Sequence, residues 1–256
     1  MKIFYTLFFF CFFSSIHAQP SKIDADRPDQ TESVNTVPKK WLQFEAGFNY
    51  QKNDKFTKEF LLPTLLSKYG LSNRIELRLI TTINQQRINI PATGKFNSTI
   101  LEQVEAGAKI GLFEEKNILP KTSLLFHFGI PGLATYTDKL LFNSRLSMQH
   151  TLTKNISLGY NLGVEFDGTS DDPNFIYTFS PGINIDEKWY AYVEAFGTLQ
   201  KQSEHNIDGG FAYFINDNFK MDISGGFGLT SNAPKYYTSI GASIRFNTTR
   251  THAHIN

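Results

Sequence analysis

The sequence predicts an all-β protein, a transmembrane antiparallel up-and-down β-barrel of about 12 strands with both termini periplasmic. Three observations predict it. From residue 41 onward the chain falls into roughly twelve segments in which apolar residues alternate with polar residues or glycine. No run after the N-terminus approaches the roughly 20 apolar residues that a membrane helix needs, although 41% of the residues are hydrophobic and 24 are Phe, 11 Tyr and 18 Gly. Short turns alternate with longer connections along the chain, which is the arrangement of outer-membrane barrels.

The first segment lies outside the fold. Lys2, the apolar stretch Ile3 to Phe13 and the small-residue approach Ser14-Ser15-Ile16-His17-Ala18 have the form of a secretory signal peptide, with cleavage expected after Ala18. Cys11, the one cysteine, sits inside that stretch. Phe10 precedes it where a lipoprotein site would want a small residue. The mature chain is therefore expected to lack any disulfide in an oxidising compartment, and a closed, hydrogen-bonded barrel is what would hold it together. Residues 19–40 are polar, carry three prolines and show no periodicity. They read as an irregular periplasmic arm.

The barrel is expected over residues 41–247, with a tail at 248–256. Leu42, Phe44, Ala46, Phe48 and Tyr50 face one way, and Gln43, Glu45, Gly47 and Asn49 the other. The same alternation sets Ile75, Leu77, Leu79, Thr81 and Ile83 against Glu76, Arg78, Thr82 and Asn84, and Ile156 to Phe166 repeats it. The strands read as 41–50, 57–68, 73–84, 100–113, 118–130, 140–152, 155–166, 174–185, 188–200, 205–215, 219–230 and 236–246, near the length a tilted strand needs to cross a bilayer. The turns near residues 72, 115, 154, 187 and 217 are short. The connections at 51–56, 85–99, 131–139, 167–173 and 230–235 are longer, and 200–204 is ambiguous. The short side is expected to be periplasmic, and an even strand count returns both termini to it.

Trp41, Tyr50, Tyr69, Tyr136, Trp189, Tyr190, Tyr236 and Tyr237 collect near strand ends, as an interfacial aromatic girdle would. Pro63 and Pro181 fall inside strands and predict a bulge or a bend, because proline removes a ladder donor. A soluble sandwich would not need so many uniform strands, nor glycines on the polar face. A net charge of +1 and a pI of about 7.8 give no electrostatic case for nucleic acid.

The candidate functional residues are the inward-facing charges Glu45, Glu76, Arg78, Glu105, Lys109, Arg145, Glu165, Glu194, Asp208, Lys220, Asp222 and Arg245. They either pair and fill a closed lumen or line a pathway for a polar or amphipathic solute. Both signs occur in similar numbers, so strong selection for one ion charge is not expected. The arm string Asp24 to Ser33 is the most distinctive in the chain, with Asp26, Arg27, Asp29 and Glu32 as its charged motif. Its alternate acids have the look of a calcium loop, but no glycine stands at the sixth place and Arg27 lies among the would-be ligands. The arm is expected to fold against the mouth or enter the lumen, where Arg27 meets carboxylates. No metal, cofactor or catalytic residue is expected. The histidines His127, His150, His205, His252 and His254 lie in no nucleophile motif.

Ser239-Ile240-Gly241-Ala242-Ser243-Ile244-Arg245-Phe246 resembles the signal read by the outer-membrane barrel-assembly machinery, although residues 248–256 follow it. The segments Asp26 to Ser33, Val37-Pro38 and Leu42 to Phe48, with Tyr69-Gly70-Leu71, Glu76-Leu77-Arg78, Ser180-Pro181-Gly182, Asp208-Gly209-Gly210 and Asp222 with Gly225-Gly226, resemble the outer-membrane barrel family of the MetA-pathway phenol-degradation type. The resemblance covers nearly the whole mature chain. It implies a transporter or channel for small molecules, aromatic or hydrophobic ones among them. The alternative is a structural or adhesive barrel with a closed, charge-filled lumen. The expected partners are outer-membrane lipids, the assembly machinery during insertion and a small solute.

Overall fold

The computed structural model describes residues 22–91, 94–130, 133, 139, 141–168, 171–200 and 203–249. The expected signal peptide and its cleavage point, residues 19–21 of the arm, Tyr136 and the tail histidines lie outside them. Twelve strands follow one another: β1 (Trp41–Lys52), β2 (Thr57–Gly70), β3 (Ile75–Ile90), β4 (Gly94–Phe113), β5 (Lys121–Gly129), β6 (Leu141–Thr151), β7 (Ile156–Asp167), β8 (Asn174–Asn184), β9 (Trp189–Leu199), β10 (His205–Asn216), β11 (Phe219–Gly228) and β12 (Tyr236–Asn247). Each pairs antiparallel with its sequence neighbours. β1 then pairs with β12, from Trp41 opposite Asn247 to Lys52 opposite Tyr236, which closes the barrel and leaves no sheet edge along the seam.

The wall is inside-out relative to a water-soluble domain. Glu76 and Lys109 are fully buried, while Phe175, Leu162 and Val193 each keep 56% of their surface. Period-two alternation sends most charges and amides inward and most Phe, Leu, Ile and Val outward, with Leu125, Leu141 and Ile176 among the exceptions that face in. An 8-stranded barrel is about as wide as its own inward side chains can fill. Twelve strands leave room, and the chain puts something in it.

The strands depart from the sequence expectation at residues 85–99 and at Pro181, and meet it at Pro63. Residues 85–99 form a hairpin rather than a long loop: β3 and β4 pair from Gln85 with Thr99 out to Ile90 with Gly94. Gly94 takes the positive φ of 102° at the tip, where a side chain would be strained. Pro63 sits in a bulge of β2. Leu62 and Pro63 lie opposite one residue of β1 and one of β3, so the strand's facing flips at that point. Pro181 produces no register change; the ladder to β9 passes from Phe179 with Ala195 to Gly182 with Tyr192 over an equal number of residues.

The aromatic girdle is smaller than expected. Tyr50 and Tyr236 meet at a tilt outside, and Trp189 meets Tyr213 there in the same way. Tyr190 and Tyr237 face the lumen, and Trp41 turns inward beneath the Arg245 guanidinium, 4.9 Å from its ring centroid.

Candidate functional site

Residues 22–40 enter the barrel from the short-turn end and fold inside it. Ile23, Ala25, Val34 and Val37 are buried, but polar contacts fix the segment. Ile23 N–H donates to the Asp217 carbonyl at 2.8 Å, Gln43 Nε2 to the Asp24 carbonyl at 2.7 Å and Val37 N–H to Glu76 Oε2 at 2.7 Å.

Asp26 is the centre of the ionic network. Its carboxylate pairs with Lys68, with Arg78 at 2.9 Å and with Lys109 at 3.1 Å. Burial pushes its pKa up, but Lys109, Lys68 and Arg78 outweigh that and hold it well below the usual carboxylate range. Lys68 also meets Glu45 at 2.5 Å, and Arg78 meets Glu76 at 3.0 Å and Glu32 at 2.8 Å. Arg78 Nε donates to His127 Nε2 at 2.8 Å, which uses His127 as an acceptor. Lys109 closes the group on the Ser33 carbonyl at 2.7 Å.

Arg27 enters a slot in the adjoining wall, at the β1–β12 seam. A Cβ on Gly47 would lie 2.0 Å from the Arg27 guanidinium, and one on Gly241 would lie 2.2 Å from it. These two glycines are cross-strand partners on β1 and β12. Only residues without side chains leave this space. The guanidinium then donates to Asp222 at 2.8 Å and Ser239 at 2.9 Å, while Lys220 holds the Arg27 carbonyl at 2.6 Å.

The arm next crosses to the β7–β9 wall. Gln30 N–H donates to Glu194 at 2.7 Å, and the Thr31 hydroxyl lies 2.5 Å from Glu194 and 2.6 Å from Thr178. Glu32 N–H donates to Asn161 at 2.7 Å, Arg145 reaches the Gln30 carbonyl at 3.3 Å and Ser180 donates to Asp29 at 3.2 Å. Burial, and then the Glu194 charge, push the Asp29 carboxyl well up; burial raises Glu32 as well. Beside this crossing a cavity of about 690 Å³ opens between the arm and β6–β11, lined by Asp29, Ser157, Ser180, Tyr190, Phe214 and Lys220 among others.

All the sequence-predicted lumenal charges face inward, but they form two groups. Glu45, Glu76, Arg78, Lys109, Arg145, Glu194, Lys220 and Asp222 hold the arm. Arg245 stays at the short-turn mouth with Asn218, 2.9 Å away. Glu105, Glu165 and Asp208 lie toward the long-loop end. There Asn143 Nδ2 donates to Glu165 at 3.2 Å and the Tyr237 hydroxyl to Asp208 at 2.9 Å. In the arm motif, Asp26, Arg27 and Glu32 carry ion pairs, and Asp29 accepts a hydroxyl.

Sequence reasoning missed Lys68, Glu59 and Glu102. The bulge at Pro63 puts Lys68 and Glu59, which differ in parity, on the same inner face. A second bulge in β4, where Thr82 pairs with Gln103 and Ile83 with Leu101, turns Glu102 toward Asn84, whose Nδ2 donates to it at 2.7 Å. Pro63 was the visible signal for the first; nothing in the sequence marks the second.

A closed twelve-stranded wall with an apolar exterior and a polar segment seated in its lumen is the build of an outer-membrane β-barrel. The chain belongs to the protein family described as "Putative MetA-pathway of phenol degradation", which it matches over residues 25–246. That match takes in the arm motif as well as all twelve strands. Among solved structures it is similar to an outer membrane channel from Pseudomonas putida F1, at 11% identity and a TM-score of 0.65, covering 84% of this chain and 98% of that one. It is also similar to the KdgM porin in complex with disordered oligogalacturonate, at 10% identity and a TM-score of 0.51, covering 79% of this chain and 99% of the porin. These two structures are of a channel and a porin. No curated protein matches the chain.

Proposed function

We propose that the protein is a gated outer-membrane channel for small molecules, aromatic or apolar ones among them, in which residues 22–40 form the gate. In this reading the short turns and both termini are periplasmic, and the protein performs no chemistry on its solute. Its partners are the lipids around the apolar band, the assembly machinery that reads the last strand, and the solute.

The observation that carries the proposal is how the lumen is filled. A wall needing only stability would fill its interior with its own apolar or mutually paired side chains. Here the wall keeps Lys68, Arg78, Lys109, Glu194 and Asp222 for partners on a separate segment that reaches the lumen without being part of the wall. Polar contacts of this kind exchange with water when the segment leaves, whereas an apolar core would not. The density of those same contacts favours the second reading, a permanently plugged structural barrel.

Planar bilayers and labelled-solute uptake separate the two. The full chain is expected to pass current in intermittent openings and to admit a labelled aromatic compound into liposomes. Deleting residues 22–33 is expected to convert the openings into steady conductance. Silence of both forms, with the barrel still folded, contradicts the channel.

A further inference from the structure

The charges in the long-loop half of the lumen have a different arrangement, and we propose that this half selects cationic or hydrogen-bond-donating solutes and rejects anions. The inference rests on the channel reading above and narrows its solute class.

Three carboxylates here are fixed by neutral amides. Gln86 Nε2 donates to Glu59 at 2.9 Å, Asn84 Nδ2 to Glu102 at 2.7 Å and Asn143 Nδ2 to Glu165 at 3.2 Å. Asp208 is held by the Tyr237 hydroxyl. None of the four makes an ion pair among the described residues. The inward-facing Lys68, Arg78, Lys109, Lys220 and Arg245 are engaged further down, with the arm or at the short-turn mouth; Arg145 bridges the two halves, reaching the Gln30 carbonyl of the arm and donating to Asn143 Oδ1 at 3.2 Å. An amide orients a carboxylate without cancelling its charge, so a net negative field remains. Low-dielectric walls focus such a field on whatever enters.

A second, independent observation points to a ligand that brings donors. Asn84 Oδ1 and Asn206 Oδ1 are buried without a hydrogen-bond partner, on side chains 8% and 5% exposed that face this half of the lumen. Both are acceptors, and Asn84 has its amide nitrogen committed to Glu102, which leaves its oxygen outstanding. In the short-turn half the unpartnered atoms are mixed: a donor at Arg27 Nε, an acceptor at Asp222 Oδ2, and serine hydroxyls that serve as either. An ammonium, guanidinium or hydroxyl group supplies what the long-loop half lacks; an anion adds more acceptors beside unneutralised carboxylates. Leu61, Ile176 and Phe196 share this inner face, so the body of the solute can be apolar or aromatic.

Two measurements on the full chain test this. Across a KCl gradient in planar bilayers, the reversal potential is expected to show potassium favoured several-fold over chloride, with the preference collapsing in Glu59→Gln/Glu102→Gln/Glu165→Gln. In detergent, equilibrium binding of benzylamine is expected to be about tenfold or more tighter than that of benzoate, which has the same ring and the opposite charge. The triple variant should lose that difference while its heat-modifiable folding stays intact. Equal binding, preference for benzoate, no binding of either probe, or a triple variant that keeps the wild-type preference overturns the inference. A barrel that conducts without favouring potassium overturns it and leaves the channel reading standing. One that separates the probes but never passes current overturns the channel reading alone.

Discussion

The two halves of the lumen use the same residue types in the same alternation, yet hold their carboxylates by different means. In the short-turn half Glu45, Glu76 and Asp222 each meet a cation, and the arm's Asp26 meets three. In the long-loop half Glu59, Glu102 and Glu165 each meet an amide. The first arrangement neutralises charge and binds a segment of the chain; the second preserves charge and leaves it facing the solute. The lesson is that counting lumenal charges over a whole barrel averages away its function. The near balance of signs in the sequence suggested no selectivity, but the structure gathers most of the cations into ion pairs in the short-turn half and leaves Glu59, Glu102 and Glu165 on amides in the other.

The comparison breaks first at Asp26. Asp26→Asn leaves Lys68, Arg78 and Lys109 without their shared partner, and stripping one side of a buried ion pair costs about 3–5 kcal/mol. The expected outcome is arm release, read as a large increase in the rate at which a maleimide labels Ala25→Cys, a position now buried. Gly241→Leu fills the space occupied by the Arg27 guanidinium and should weaken arm seating by about 1–3 kcal/mol in the same labelling assay.

A pH series sharpens the contrast within the arm itself. Asp26, held low by its three cations despite burial, stabilises the seated arm above the ordinary carboxylate range; that contribution is lost as pH falls through its depressed seated value. Asp29 has the opposite sign. Raised by burial and then by Glu194, it contributes fully below the ordinary range and loses that contribution as pH rises through its raised value. Asp29→Asn should therefore slow labelling of Ala25→Cys at neutral pH and flatten the rise in labelling toward alkaline pH. The smallest effect belongs to the other half. Glu102→Gln and Glu165→Gln should leave arm seating within about 0.5 kcal/mol of wild type, although they alter selectivity.

Much of this was legible in the sequence, for reasons that show where legibility ends. Strand identity and facing were readable wherever alternation ran unbroken, as through Gln43, Glu45 and Gly47, because period two follows directly from the pleat. The destination of Arg27 was readable in kind, since a lone arginine in an acidic arm needs a carboxylate; Asp222, 195 residues along, was not. Lys68 and Glu102 were lost at bulges, where one inserted residue reverses every later assignment. The slot formed by Gly47 and Gly241 was beyond reach, because it depends on a register between the first strand and the last that alternation does not specify. The separation of charges by height escaped for the same reason, since height in a barrel comes from register.

The central claim is that the seated arm closes the lumen and its departure opens it. The Thr31 and Thr178 hydroxyls are 2.6 Å apart across the arm–wall contact, so Thr31→Cys/Thr178→Cys offers a lock in a chain whose one native cysteine, Cys11, lies outside the described residues. Single-channel recording in planar bilayers should find the oxidised double variant silent and should find openings restored when reductant is added. Equal conductance before and after reduction, with the disulfide verified by mass, would contradict the account.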